Sequence, residues 1–305
     1  MGKGRKMAKR IHQMTFADWE RAFPNEDACR GYLSLHRWPK GVSCPRCGNR
    51  EVYALSRDFH WQCHQCAPQG YRFSVIAGTI FENTNKPLRD WFRVIHLMLT
   101  SKKGISALQI QRMTGFGSYK TAWYMCHRIR AGLANEEFRK LIGLVEVDET
   151  FIGGSDKNRH ADERVGKKGG YLDPLKFTVI GAVQRKGNVV ARVLDKVNTA
   201  TMANFVREAV STDVEVLCTD SARAYWPLKE EYPGHGMVDH TRHQYVVGAL
   251  HTNTIEGFWS LIKRGVMGSY HKVSRKYLLL YVAEFQFRYN NRLNPDIFGE
   301  AVRGC

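Results

Sequence analysis

Three acidic residues far apart in the chain, Asp148, Asp220 and Glu256, have the type and setting for divalent-cation chemistry. Asp148 lies in the apolar run Leu144-Val145-Glu146-Val147-Asp148, and Asp220 ends another, Val214-Glu215-Val216-Leu217-Cys218-Thr219-Asp220. Carboxylates at the ends of buried strands are costly unless a cation pairs with them. Three that converge make an oxygen cage for Mg²⁺ or Mn²⁺, and a two-ion site of that kind suits phosphoryl transfer. Glu256 follows Asp220 after 35 residues, within a segment from Thr252 to Gly265 that reads as a helix. Asn253, Glu256, Ser260 and Lys263 share one face of that helix, and Ile255, Phe258, Trp259 and Ile262 form a complementary apolar stripe. Lys263 stands about two turns, or ~10 Å, beyond Glu256, a spacing that suits holding a DNA backbone across the site.

Other acids compete for these roles. Glu146 shares Asp148's strand face and Glu149 flanks it, but Asp148 is nearer the expected strand end. Asp213 and Asp239 are weaker alternatives to Asp220. His240, His243 and His251 precede the helix, and His251 is the one expected near the site.

A second metal signature stands earlier. Cys44-Pro45-Arg46-Cys47 and Cys63-His64-Gln65-Cys66 enclose 15 residues, a spacing within the zinc-ribbon range. Four thiolates close the shell of one Zn²⁺, so this ion is structural. Tyr53, Phe59 and Trp61 are expected to pack the small core that such a metal holds together. The other cysteines, Cys29, Cys126, Cys218 and Cys305, are scattered, which suits a reducing compartment better than a disulfide framework.

The elements around these sites follow from periodicity and charge. Of 305 residues, 46 are Lys or Arg against 29 Asp or Glu, a formal net charge of +17 that points to an anionic partner, most simply nucleic acid. No apolar run approaches the ~20 residues of a membrane span, and the basic start of the chain has no apolar stretch behind it, so neither a membrane anchor nor a secretory signal is expected. Cytoplasmic, nucleoid-associated protein is the expectation.

Residues 1–40 read as a basic arm and a helical lead-in with Thr15 as N-cap, and 41–82 as the zinc ribbon. Residues 83–135 read as three helices with a glycine turn before the last, the pattern of a helix-turn-helix. Its final helix begins at Ser118 and carries Lys120, Arg128 and Arg130, which with Lys263 and Arg264 are the expected DNA contacts. From 140 to 293 strands are expected at Leu144–Thr150, Lys176–Gln184, Val189–Val197, Val214–Asp220 and Gly236–Val246. Helices are expected at Thr201–Val210 and Thr252–Gly265, with a weak one at 222–230. That is the element order of a ribonuclease H-like α/β domain, a mixed sheet flanked by helices. The charged, glycine-rich stretch Gly153 to Gly170 reads as a loop, and 294–305 as a C-terminal tail.

Several stretches together resemble the zinc-ribbon-containing DDE transposases of prokaryotic insertion sequences, in the group related to eukaryotic Merlin elements. They are the two CxxC knuckles, Phe73-Ser74-Val75 through Gly78-Thr79-Ile80-Phe81, and Val145-Glu146-Val147-Asp148-Glu149-Thr150-Phe151-Ile152-Gly153-Gly154. The run from His251 to Gly265 and Arg288-Tyr289-Asn290-Asn291-Arg292 complete the set. The resemblance implies metal ligation by Asp148, Asp220 and Glu256, with Asp148 bridging two Mg²⁺ ions. Some relatives use asparagine in the third role, which keeps Asn253 beside Glu256 as a contributor. It also implies binding of terminal inverted repeats and of target DNA, cleavage and strand transfer, and a dimer or larger assembly. The alternatives are a ribonuclease H-like structure-specific nuclease or resolvase, and an inactive zinc-ribbon DNA-binding regulator.

Overall fold

The computed structural model describes residues 15–66, 68–134, 139–154, 160, 176–220, 223–238 and 251–305. The basic arm, most of the Gly153 to Gly170 stretch, and Asp239, His240 and His243 lie outside them. The chain divides into two units, residues 1–135 with 291–305, and residues 136–290.

The first unit opens with two helices where one lead-in was expected, α1 (Phe16–Ala22) and α2 (Glu26–Arg37). Thr15 caps α1 in a reciprocal pair with Asp18, and Asn25 starts α2 by accepting from the Ala28 N–H. Strands β1 (Tyr53–Ala54), β2 (His60–Cys63) and β3 (Tyr71–Ser74) form an antiparallel sheet whose Trp61 and Phe73 pack with the thiols and Trp38. Three helices follow, α3 (Leu88–Thr100), α4 (Ala107–Thr114) and α5 (Tyr119–Leu133). Ser106 and Ser118 cap α4 and α5, and Gly115 ends α4 at φ 71°, a left-handed cap that favours glycine.

In the second unit β4 (Leu144–Gly153), β5 (Lys176–Gln184) and β6 (Val189–Leu194) run as an antiparallel meander. After α6 (Thr199–Ala209), strand β7 (Val216–Asp220) pairs parallel with β4. A 3-10 turn (Arg223–Tyr225) and α7 (Leu228–Glu231) lead to β8 (His235–Val238), parallel to β7. The order is β6-β5-β4-β7-β8, with β4 central. A mixed sheet in this order, flanked by helices, is consistent with the ribonuclease H-like fold expected from the sequence.

Helices α8 (Asn253–Gly265) and α9 (Arg275–Asn290) cover one face of the sheet, packing Ile255, Phe258, Trp259, Leu278, Val282 and Phe285 on Ile152, Val179 and Val183. The opposite face carries Val145, Val147, Ile180 and Ala182 against α6 and α7. Strand β6 is at the sheet edge, and α9 satisfies part of it: Asn290 bonds both the N–H and the carbonyl of Val189, and Gln286 accepts from the Ala191 N–H.

The segment read as a tail from 294 is helical as α10 (Ile297–Gly304) and belongs to the first unit. Phe298 is fully buried there, 5.4–5.7 Å from the rings of Phe23, Tyr32 and Phe92. Apolar burial overrides the terminal position. Among the described residues no helix is long and apolar enough to cross a membrane.

Candidate active site and metal centre

The central strand sets the geometry. In β4 the even-numbered residues face α8 and α9, since Ile152 packs there while Val145 and Val147 enter the other core. The parallel pairing of β4 with β7 aligns Glu146 with Cys218. Two residues on, in the same register, Asp148 and Asp220 lie level on adjacent strands and on one face of the sheet. Asp148 is in the middle of β4, which runs further than expected, to Gly153. What singles out its position is that β7 ends alongside it, at Asp220.

Both carboxylates are partly buried. Burial pushes Asp148 up to about 7, and repulsion from Glu149 and Asp220 adds to the rise. The Glu149 backbone N–H and the indole of Trp259, whose Nε1 donates to Asp148 Oδ2 at 3.1 Å, pull the other way. An acid whose proton affinity is raised by burial and by a neighbouring carboxylate suits an oxygen-seeking divalent cation, and the chemistry of the pair matches Mg²⁺ or Mn²⁺.

Glu256 sits in the first turn of α8, exposed, on the helix that covers this face. It accepts from the Thr252 hydroxyl at 2.9 Å. Asn253, Ser260, Lys263 and Arg264 are exposed on the same helix. The three carboxylates are not drawn into a closed cluster: among the described residues, the four cysteines form the group whose ligand atoms all lie within 4.8 Å.

The competing acids separate by position. Glu149 faces the opposite core and accepts from Tyr225 Oη at 2.7 Å. Asp213 lies in the exposed turn before β7, at the far end of that strand from Asp220. Glu146 does share Asp148's face, but it is completely buried and spent on internal partners. Its setting depends on Arg185, which lies just beyond the end of β5 and carries no local signal for this role in the sequence. His251 is beside it, with Nδ1 3.2 Å from Glu146 Oε1.

In the ribbon, Cys44 and Cys66 lie with Sγ atoms 3.7 Å apart, and Cys47 and Cys63 3.6 Å apart. Those separations are close to the ~3.8 Å edge of a tetrahedron with ~2.3 Å Zn–S bonds, so four thiolates on one structural Zn²⁺ fit. His64, between two of them, packs edge-on against Tyr53 at 4.8 Å.

Of the expected DNA contacts on α5, Ser118 and Lys120 are exposed at its start, beside exposed Tyr119 and Tyr124. Arg128 is partly buried, its guanidinium stacked over Trp91 and Tyr124. Arg130 does not reach the surface: it is 1% exposed, in line with buried Ala122 and Cys126 at helical steps of four. Its charge suggested a DNA contact, but helical periodicity turns it into the protein.

A mixed sheet with acids paired on two central strands, together with a four-thiol ribbon in the other unit, fits a metal-dependent enzyme acting on nucleic acid. Residues 140–290, almost the whole second unit, match the family model of the ISXO2-like transposase domain, and residues 24–69 match that of the transposase zinc-ribbon domain. The chain is a member of the insertion-sequence transposases that combine these two domains. It is also 27% identical over 280 residues to a Halobacterium salinarum protein described as an uncharacterized protein in transposable element ISH50, covering 88% of this chain and 92% of that one.

Proposed function

We propose that this transposase binds the terminal inverted repeats of its own element and catalyses Mg²⁺-dependent cleavage and strand transfer by a two-metal mechanism at Asp148, Asp220 and Glu256. The observation that carries this reading is the level placement of Asp148 and Asp220 on adjacent parallel strands, under the helix that bears Glu256. Asp148, central in the sheet, Asp220 and Glu256 would hold the ions, with Asn253 a contributor on the same helix face as Glu256. Bound there, the cations supply Lewis acidity for the attacking and leaving oxygens of an in-line displacement.

The chain itself positions the reactants. Lys263 and Arg264, exposed farther along α8, hold the DNA backbone by charge. The helices α3 to α5 act as a helix-turn-helix, with Ser118 and Lys120 entering the groove and the ribbon as a second DNA contact. Water cleaves the phosphodiester at the element end and frees a 3′-OH. That hydroxyl then attacks a target phosphodiester, whose own 3′ oxygen departs, so no covalent protein intermediate is formed. Joining two ends requires at least two copies of the chain in one complex.

The test uses duplexes copied from the DNA flanking the gene. Asp148→Asn, Asp220→Asn and Glu256→Gln should each abolish Mg²⁺-dependent cleavage while end binding persists. Full activity in Glu256→Gln would move the third ligand to Asn253. Cleavage of branched DNA without joined products would favour a nuclease or resolvase instead.

A further inference from the structure

Helix α8 has no cap of its own. Thr252, at its N-cap position, makes no side-chain capping bond, although the first N–H groups of a helix require acceptors. Glu146 supplies them from the central strand. Its Oε2 accepts from the N–H of Thr254 at 2.7 Å and of Ile255 at 3.0 Å, the second and third helical positions that an ordinary cap serves. Its Oε1 accepts from the Thr254 hydroxyl at 2.8 Å and from Arg185 Nε at 2.6 Å. The same guanidinium donates through Nη2 to the His251 carbonyl at 3.1 Å, one residue before the cap position. Glu146 is fully buried, so each of these bonds forms out of water, where losing one is expensive.

Asp148 stands two positions beyond Glu146 on β4, about 7 Å away on the same face. Glu256 directly follows Ile255 on α8. A carboxylate clamped to the start of α8 therefore fixes the spacing between the strand acid and the helix acid. We infer that Glu146, held by Arg185, is a positioning residue that keys the first turn of α8 to β4 and so sets the distance at which Glu256 meets metal held by Asp148. This rests on the proposed reading of the three acids.

The experiment follows single-turnover cleavage of inverted-repeat duplexes by the full-length, zinc-loaded protein across a Mg²⁺ titration, with end binding and thermal unfolding measured on the same samples. Glu146→Gln keeps the shape but offers one acceptor oxygen and sets an amide against donors. Its half-saturating Mg²⁺ is expected to rise about tenfold or more, as for other groups that orient metal ligands. End binding stays at the wild-type level, and the rate recovers toward wild type at high Mg²⁺. Arg185→Lys keeps a cation on Glu146 but cannot also reach the His251 carbonyl, and should shift the titration the same way by less. Thr254→Ala removes the hydroxyl alone and gives the smallest shift.

A wild-type Mg²⁺ titration in folded Glu146→Gln overturns the inference, as does a loss of cleavage that no Mg²⁺ concentration relieves. If Glu146→Gln does not fold, Arg185→Lys and Thr254→Ala decide, and unshifted titrations in both overturn it. Asp148→Asn is run alongside: Mg²⁺-dependent cleavage persisting there would remove the underlying reading of the site, a failure distinct from that of the clamp.

Discussion

Gly181 lies directly opposite Asp148 in the β4–β5 pair, and the space a side chain would fill there is taken by Trp259. A Cβ at this position would come within 2.6 Å of Trp259 Cη2 and 3.2 Å of Ile255 Cδ1. The missing side chain lets the indole settle onto the sheet and aim Nε1 at the Asp148 carboxylate. Gly181→Ala should therefore push Trp259 away, cost about 1–3 kcal/mol by overpacking, and slow cleavage while leaving end binding in place. Chemical denaturation and the cleavage assay read both effects. Unchanged stability would mean that the sheet face yields more readily than its packing implies.

The proton on Asp148 gives a pH signature with a definite sign. Burial, with repulsion from Glu149 and Asp220, raises this group from an ordinary value near 4 to about 7. The folded protein thus holds the proton more tightly than the unfolded chain. The resulting stability is present in full below pH ~4 and is lost as pH rises through about 7. In zinc-loaded protein without Mg²⁺, denaturation midpoints should decline over that window, and added Mg²⁺ should restore stability at pH 8. Asp148→Asn should flatten both responses; a variant that keeps the full pH slope would assign it to another group.

Zinc should be present at one ion per chain. Cys63 ends β2 and is fully buried among the ribbon aromatics, so Cys63→Ser removes a ligand from a small core with little else to hold it. Metal analysis is expected to find the ion lost and end binding abolished. Tight retention of zinc by Cys63→Ser would show that three thiolates suffice.

Lys120 and Arg130 share a helix and should behave oppositely. Lys120 is exposed at the start of α5, and Lys120→Ala should weaken DNA binding across sequences and reduce the salt slope by about one. Arg130 is buried, so Arg130→Ala should lower the unfolding midpoint, with DNA affinity unchanged in the protein that remains folded. Equal losses of affinity at matched stability would contradict the burial of Arg130.

The reach of local pattern explains which features were legible. The polar face of α8, with Asn253, Glu256 and Lys263 outward and Ile255, Phe258 and Trp259 inward, follows from a period of 3.6 and is seen in the structure. The Thr15 cap of α1 is equally local. Helix α9 escaped because Leu278, Leu279, Val282, Phe285 and Phe287 place apolar groups around most of its circumference, leaving no stripe to detect. α10 escaped because a short apolar segment near a chain end has no local signal that it will be buried.

From its residues alone the chain settled its donor chemistry: four thiols spaced for one ion, and carboxylates set in apolar runs. Side-chain type and short-range spacing carry that much, because a ligand's atoms and a strand's alternation are local properties. Folding decided how those donors are used. The register between β4 and β7 put Asp148 level with Asp220, and a bond across 108 residues turned Glu146 from a rival of Asp148 into the cap of α8. Strand register and burial arise from contacts between segments remote in the chain, and no window of neighbouring residues contains them.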